Sequence, residues 1–145
     1  MSSARRQRLV MTIVGIALLA VFIWTQRVPV NSTTGSPDAI AVAFRSRTSN
    51  VQVSGIGVVR RILPDDNAGS RHQRFILQFS NGQTVLVSQN IDLAARLSSL
   101  DGGDTVEFFG EYEWNAEGGV IHWTHDDPAR RHVGGWLRHE GRTVK

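Results

Sequence analysis

RHQRFILQFSNGQTVLVS, residues 71–88, sets the structural class of this chain. Phe75, Leu77 and Phe79 alternate with Arg74, Ile76 and Gln78. That period of two sends one set of side chains to a core face and the other to the opposite face. Asn81-Gly82 follows as a two-residue hairpin signal, since both positions of such a turn favour φ > 0. Thr84 to Ser88 then reads as the returning strand.

The same texture extends in both directions. Upstream, VQVSGIGVVRRIL (residues 51–63) is rich in β-branched residues, and Gly55 and Gly57 mark where a strand bends or bulges. Pro64 to Ser70 is a loop by composition. Downstream, Asp92 is placed to cap a short helix over residues 90–100, with Leu93, Leu97 and Leu100 on one face and Gly102-Gly103 ending it. Asp104 to Trp114 reads as a fourth strand, with Val106, Phe108 and Tyr112 on one side and Gly110 as a bulge. Glu107, Phe109, Glu111 and Glu113 take the other side, and Glu111 and Glu113 present paired carboxylates there. Val120 to His125 is the fifth strand, and the Gly134-Gly135-Trp136-Leu137 tail adds a sixth strand or a cap. The class is mainly β. Five strands with a helix between the third and fourth match an OB-like five-stranded Greek-key barrel. A β-sandwich needs about seven strands.

The N-terminus differs in kind. Leu9 to Trp24 is sixteen residues without a charge, preceded by Arg5, Arg6 and Arg8. At 1.5 Å per residue this reaches about 25 Å, the short end of a span across a hydrocarbon core of about 30 Å. No small-x-small cleavage site follows it, so residues 1–27 read as an uncleaved signal-anchor, a single transmembrane helix. The arginines favour an N-terminus inside and the bulk of the chain outside: inner membrane, single-pass, with the C-terminal domain periplasmic or extracellular. Residues 28–37 read as a linker, and residues 38–145 as the barrel domain, opening with a short helix over Asp38 to Phe44.

Charge and cysteine narrow the function. Of sixteen basic residues, Arg5, Arg6, Arg8 and Arg27 flank the anchor; the remaining twelve face thirteen acids, a net of −1. General nucleic-acid binding, which normally shows a clustered basic excess, is not favoured. Cysteine is absent, which removes disulfides and thiol catalysis.

Chemistry concentrates in GGVIHWTHDDP, residues 118–128. His122, His125, Asp127 and His132 are the candidate catalytic residues, since histidine titrates near neutrality and a carboxylate fixes its tautomer. Regular strand alternation separates His122 from His125 unless the strand ends near Thr124, and Asp126-Asp127-Pro128 provides such an end. His125, Asp127 and His132 form a compact candidate set for a divalent metal such as Zn. His72, Arg74, Trp114, Trp123 and Trp136 are candidate ligand contacts, the tryptophans as stacking platforms.

At His72-Gln73-Arg74-Phe75, Asn90-Ile91-Asp92, Gly110-Glu111-Tyr112-Glu113-Trp114-Asn115 and His122-Trp123-Thr124-His125 the chain resembles the bacterial family known as domain of unknown function 3465. The resemblance covers roughly residues 50–140 and implies a small, often exported or membrane-anchored protein, with no activity, substrate or cofactor attached. HWTH is the hallmark it implies; Asp126 stands where the resemblance implies a further histidine. Two functions follow as expectations. One is a membrane-anchored extracytoplasmic OB-like binding module for a small ligand, oligomer or protein partner. The other is a hydrolase of the phosphodiesterase or nuclease kind, metal-dependent or not, acting through the HWTH-DDP segment.

Overall fold

The computed structural model describes residues 37–145. The expected anchor over residues 1–27 and all but the last residue of the linker lie outside the described residues. Among those described, no helix is long and apolar enough to cross a membrane.

The elements run α1 (Pro37–Ser46), β1 (Val51–Asp66), β2 (His72–Gln78), β3 (Thr84–Asn90), β4 (Thr105–Glu113), β5 (Val120–His122), β6 (Trp136–His139) and β7 (Arg142–Val144). All seven strands join one sheet in the order β1-β2-β3-β5-β4-β6-β7, and β4 also pairs with β1. The first five strands therefore close on themselves. Closure depends on the length of β1. Residues 51–58 lie antiparallel to β4, and from Val58 onward the strand lies antiparallel to β2. β3 and β5 run parallel. The tail supplies two strands, with β6 pairing the first half of β4 and β7 closing a hairpin on it.

Alternation builds the interior. Phe75 and Leu77, Val85 and Val87, Val106 and Phe108 are all within 1% of full burial, and Tyr112 and Ile121 join them. The glycines of β1 make room for this core rather than bulging the strand. A Cβ on Gly55 would meet the Phe108 ring at 2.9 Å, and one on Gly57 would meet Leu77 and Phe79 at 3.2–3.3 Å. The irregularities of β1 fall later, between Val59 and Arg61 and between Leu63 and Asp66. Gly110 is likewise no bulge, because pairing with β1 runs straight through it. Its missing Cβ admits the His122 carbonyl, which would lie 2.6 Å away.

The hairpin after β2 is wider than a two-residue turn. Phe79 N–H donates to the Gln83 carbonyl at 2.9 Å, and of Asn81 and Gly82 only Gly82 has positive φ, at 83°. This fits a three-residue loop with one left-handed glycine.

The one short helix among the described residues is α1, not the 90–100 segment. α1 starts at Pro37, where the absent N–H would have no partner in any helix, with Asp38 in the first turn and Arg45 in the last to complement the dipole. Ile40 is fully buried and Ala43 nearly so. Residues 91–100 form turns, because their hydrogen bonds go to the barrel. The buried Gln73 amide donates to the Leu97 carbonyl at 3.0 Å, and its oxygen accepts the Leu97 N–H at 2.9 Å. Asp92 caps no helix; its carboxylate accepts the Arg71 backbone N–H at 2.8 Å and pairs with the Arg71 guanidinium at 2.7 Å. Those bonds hold its carboxyl below the usual aspartate range, the backbone bond foremost.

Candidate functional site

The strand expected to run to His125 stops at His122, because Trp123 takes a left-handed backbone with φ of 52°. A bulky residue pays about 1–3 kcal/mol for that conformation and holds it only where its surroundings over-determine it. Here three contacts do so. The Trp123 indole stacks on the His132 ring at 4.0 Å and 8°. Gly135 N–H donates to the His125 carbonyl at 2.9 Å. Thr124, fully buried, donates its hydroxyl to the Gln89 side-chain oxygen inside the barrel. The tail presses against this turn only because Gly135 lacks a Cβ, which would lie 2.0 Å from the Trp123 carbonyl oxygen and 2.4 Å from that of Phe109.

The turn rewrites the geometry expected from alternation. His122 and His125 no longer face opposite ways; both line one cleft of about 280 Å³. His72, Ser88, Asn90, Leu93 and Trp123 complete its wall. His72 and Asn90 are direct partners across β2 and β3, so one side of the cleft is a rigid ladder. Trp123 touches both neighbouring imidazoles, with centroids 6.3 Å from His122 and 5.4 Å from His125. His125 is 4% exposed, and its Nδ1 donates to the Asp126 carbonyl at 2.8 Å. His72 Nδ1 makes the same kind of bond to the Ser70 carbonyl. In the neutral rings those bonds leave each Nε2 as the acceptor. Ser88 and Asn90 were absent from the sequence-derived set. Their outward parity on β3, in step with His72, is the signal that points to them.

A second cluster borders this cleft. Glu111 of β4 stands directly opposite His122 of β5, and Glu113 is two residues on along the same face. His122 Nε2 lies 3.6 Å from Glu111 Oε1 and 3.7 Å from Glu113 Oε1. The other Glu111 oxygen is 2.7 Å from His132 Nε2, while His132 Nδ1 donates to the Val133 carbonyl at 2.8 Å. A ring that donates from Nδ1 and also faces a carboxylate with Nε2 is the imidazolium form. Burial alone would depress the pKa of His132. The Val133 carbonyl, the Glu111 hydrogen bond and the charges of Glu111 and Asp127 outweigh it, so the value rises above the usual 6.5. A raised folded pKa contributes stability that is whole below pH 6.5 and is lost as pH climbs through the folded value. The His132 ring followed by NMR should therefore titrate above 6.5, and Glu111→Gln should move it downward. An unmoved His132 titration in that variant would contradict the pairing.

Asp127 has a different task. Its carboxylate accepts the backbone N–H groups of Ala129, Arg131 and His132 at 2.8–3.0 Å, folding the loop after the strand. The Ala129 and Arg131 bonds come first among the causes that lower its pKa. The expected metal set of His125, Asp127 and His132 is thus not brought together. Asp127 is committed to the loop backbone and His132 to Glu111 and the Val133 carbonyl, and among the described residues only Glu111, Glu113 and His122 place three donor atoms within 4.8 Å of one another.

The remaining candidates separate in the same way. Arg74 is held by two bonds to the Pro64 carbonyl, at 3.0 and 3.1 Å. Trp114 docks α1, donating its indole N–H to the Phe44 carbonyl at 3.1 Å beneath the Arg47 guanidinium. Trp136 stacks on Phe109 with centroids 6.5 Å apart, away from the cleft wall. His72, His122, Trp123 and His125 are brought to one place; Arg74, Trp114, Asp127, His132 and Trp136 are not part of its lining.

Comparison with known proteins adds a family but no activity. The model of a family described as protein of unknown function (DUF3465) matches residues 20–145. No curated protein matches the chain.

Proposed function

For this chain, which belongs to the DUF3465 family of unknown function, we propose a membrane-tethered extracytoplasmic binding module. It is an OB-like barrel that holds a small polar ligand in the cleft walled by Trp123. The observation that carries the reading is the convergence of His72, His122 and His125 around one indole at the end of β5. Support for the barrel type comes from the order β1-β2-β3-β5-β4 with β4 returning to β1, the Greek-key closure of a five-stranded barrel. On this reading β6 and β7 are additions to it. Support for the tether is the uncharged run from Leu9 to Trp24 behind three arginines, which sets the module on the outer face of the inner membrane.

The lining defines the ligand's chemistry. Imidazoles, the Ser88 hydroxyl and the Asn90 amide donate and accept hydrogen bonds, while Trp123 and Leu93 offer apolar surface. About 280 Å³ lies just below the usual range of ligand sites, roughly 300 to 1,000 Å³. That suits a single ring bearing hydroxyl or carboxylate groups, of monosaccharide or nucleobase size. The hydrolase reading draws on the same segment with less support, because Asp127 and His132 are occupied in holding the loop and Glu111.

The test is an NMR titration of the full-length protein with monosaccharides, nucleosides and small carboxylates. Its readouts are the imidazole signals of His72, His122 and His125 and the indole signal of Trp123. A ligand of the proposed class shifts these four together and saturably, and leaves Trp114 unmoved. No response at the four, or shifts confined to Trp136, would sink the proposal.

A further inference from the structure

We propose that Glu111, Glu113 and His122 form a binding site for a divalent transition-metal ion of the Zn²⁺ class. The site shares His122 with the cleft, but Glu111 and Glu113 lie outside the cleft lining, so Glu113→Gln tests the ion apart from the cleft's ligand. It also replaces the His125-Asp127-His132 set with one the fold assembles.

The first argument is the state of His122 Nε2. That atom is buried and has no hydrogen-bond partner among the described residues, although the side chain as a whole is 36% exposed. A charge-assisted hydrogen bond would draw it to about 2.7–2.9 Å from one carboxylate. Instead it stands almost equidistant from two, at 3.6 and 3.7 Å. Those separations approach the edge of a tetrahedron around a Zn²⁺ ion, about 3.3–3.4 Å for metal–ligand bonds of about 2.0–2.1 Å. With all three donor atoms within 4.8 Å of one another, a tetrahedral ion would bind His122 Nε2 and draw the two carboxylates together around it.

The second argument is support. The three residues sit on paired strands, with Glu111 and His122 in direct register. Strand-borne ligands are held more exactly than loop-borne ones. His132 takes Glu111 Oε2 at 2.7 Å, which leaves Oε1 toward His122. A hydrogen-bonded outer partner of this kind orients a ligating carboxylate. Glu113 has no other ion pair among the described residues and is 34% exposed, which gives an ion a way in from solvent. One imidazole and two carboxylates suit a borderline-soft divalent ion, and three protein ligands leave the fourth position to water.

The experiment uses full-length protein stripped with a chelator and titrated with Co²⁺, then with Zn²⁺. One equivalent of Co²⁺ should develop visible d–d absorption, and Zn²⁺ should displace it. Glu113→Gln and His122→Ala should each weaken Co²⁺ binding at least about tenfold, while Glu117→Gln, an exposed carboxylate in the turn before β5, leaves it unchanged. Circular dichroism melts establish that the variants are folded; among the described residues the Glu113 side chain has no hydrogen-bond partner, so Glu113→Gln keeps the test open if His122→Ala loosens the turn. Absence of saturable Co²⁺ binding by the folded wild type would overturn the site. So would affinity unchanged by Glu113→Gln.

Discussion

Gly135→Ala is expected to cost about 3 kcal/mol or more of stability and to lower Tm by about 10 °C. The added Cβ would lie 2.0 Å from the Trp123 carbonyl oxygen, 2.4 Å from the Phe109 carbonyl oxygen and 3.0 Å from the Thr124 Cα. All three are backbone atoms, so no side chain can swing aside. Either the tail lifts and gives up the hydrogen bond from Gly135 N–H to the His125 carbonyl, or the turn at Trp123 opens. Both routes disturb the cleft. The control is Gly102→Ala, where a new Cβ meets nothing within 4 Å and φ is not left-handed. That variant should stay within about 0.5 kcal/mol of wild type. Urea unfolding of the two variants checks the pair, and equal midpoints would contradict the packing described.

This glycine also shows why the site was only partly legible in the sequence. The segment that carries the candidate cleft stands out, because two histidines, two aspartates and a tryptophan within eleven residues exceed what a core strand needs. The partners do not. Alternation assigns His122 and His125 to opposite faces, and only the left-handed Trp123 puts both in one cleft. Nothing local in HWTH announces that backbone. It is imposed by a tail about ten residues later and by the His132 ring. Asp127 looked like a ligand because carboxylates near histidines often are. Its three backbone bonds make it the anchor of a turn, the role that aspartate before a loop also plays.

The second large effect lies at the other end of the domain. Ile40→Ala should cost about 3 kcal/mol, within the roughly 2–5 kcal/mol seen when a buried aliphatic side chain is cut to a methyl. Ile40 is 0% exposed on a helix that packs against β1. Val42 of the same helix is 55% exposed, and Val42→Ala should change stability by no more than about 0.5 kcal/mol. A cost below about 1 kcal/mol for Ile40→Ala in denaturant unfolding would mean that α1 is not part of the core.

The strands were legible where one face is buried and the other wet, as at Phe75, Leu77 and Phe79, because the pleat converts burial directly into a period of two. Residues 90–100 depart from their helical spacing for an equally physical reason. Leu93, Leu97 and Leu100 have helical spacing, yet Leu93 is 47% exposed and only Leu97 is buried deeply. Gln73, distant in sequence, takes both backbone groups of Leu97 and leaves no ladder for a helix. Local propensity lost there to a tertiary hydrogen bond. The closing pair β1–β4 and the pairing of β6 with β4 were also beyond a local reading, since both depend on contacts between distant segments.

The central claim is that a left-handed Trp123 gathers His122 and His125 into one cleft while stacking on His132. Nuclear Overhauser contacts from the Trp123 indole in the full-length protein test it most directly. Cross-peaks are expected from that one indole to the His132 and His125 rings, together with a contact between the Gly135 amide and the residue 125 backbone. An indole that sees His125 but not His132, with an unbroken strand pattern of backbone contacts from Val120 to His125, would contradict it.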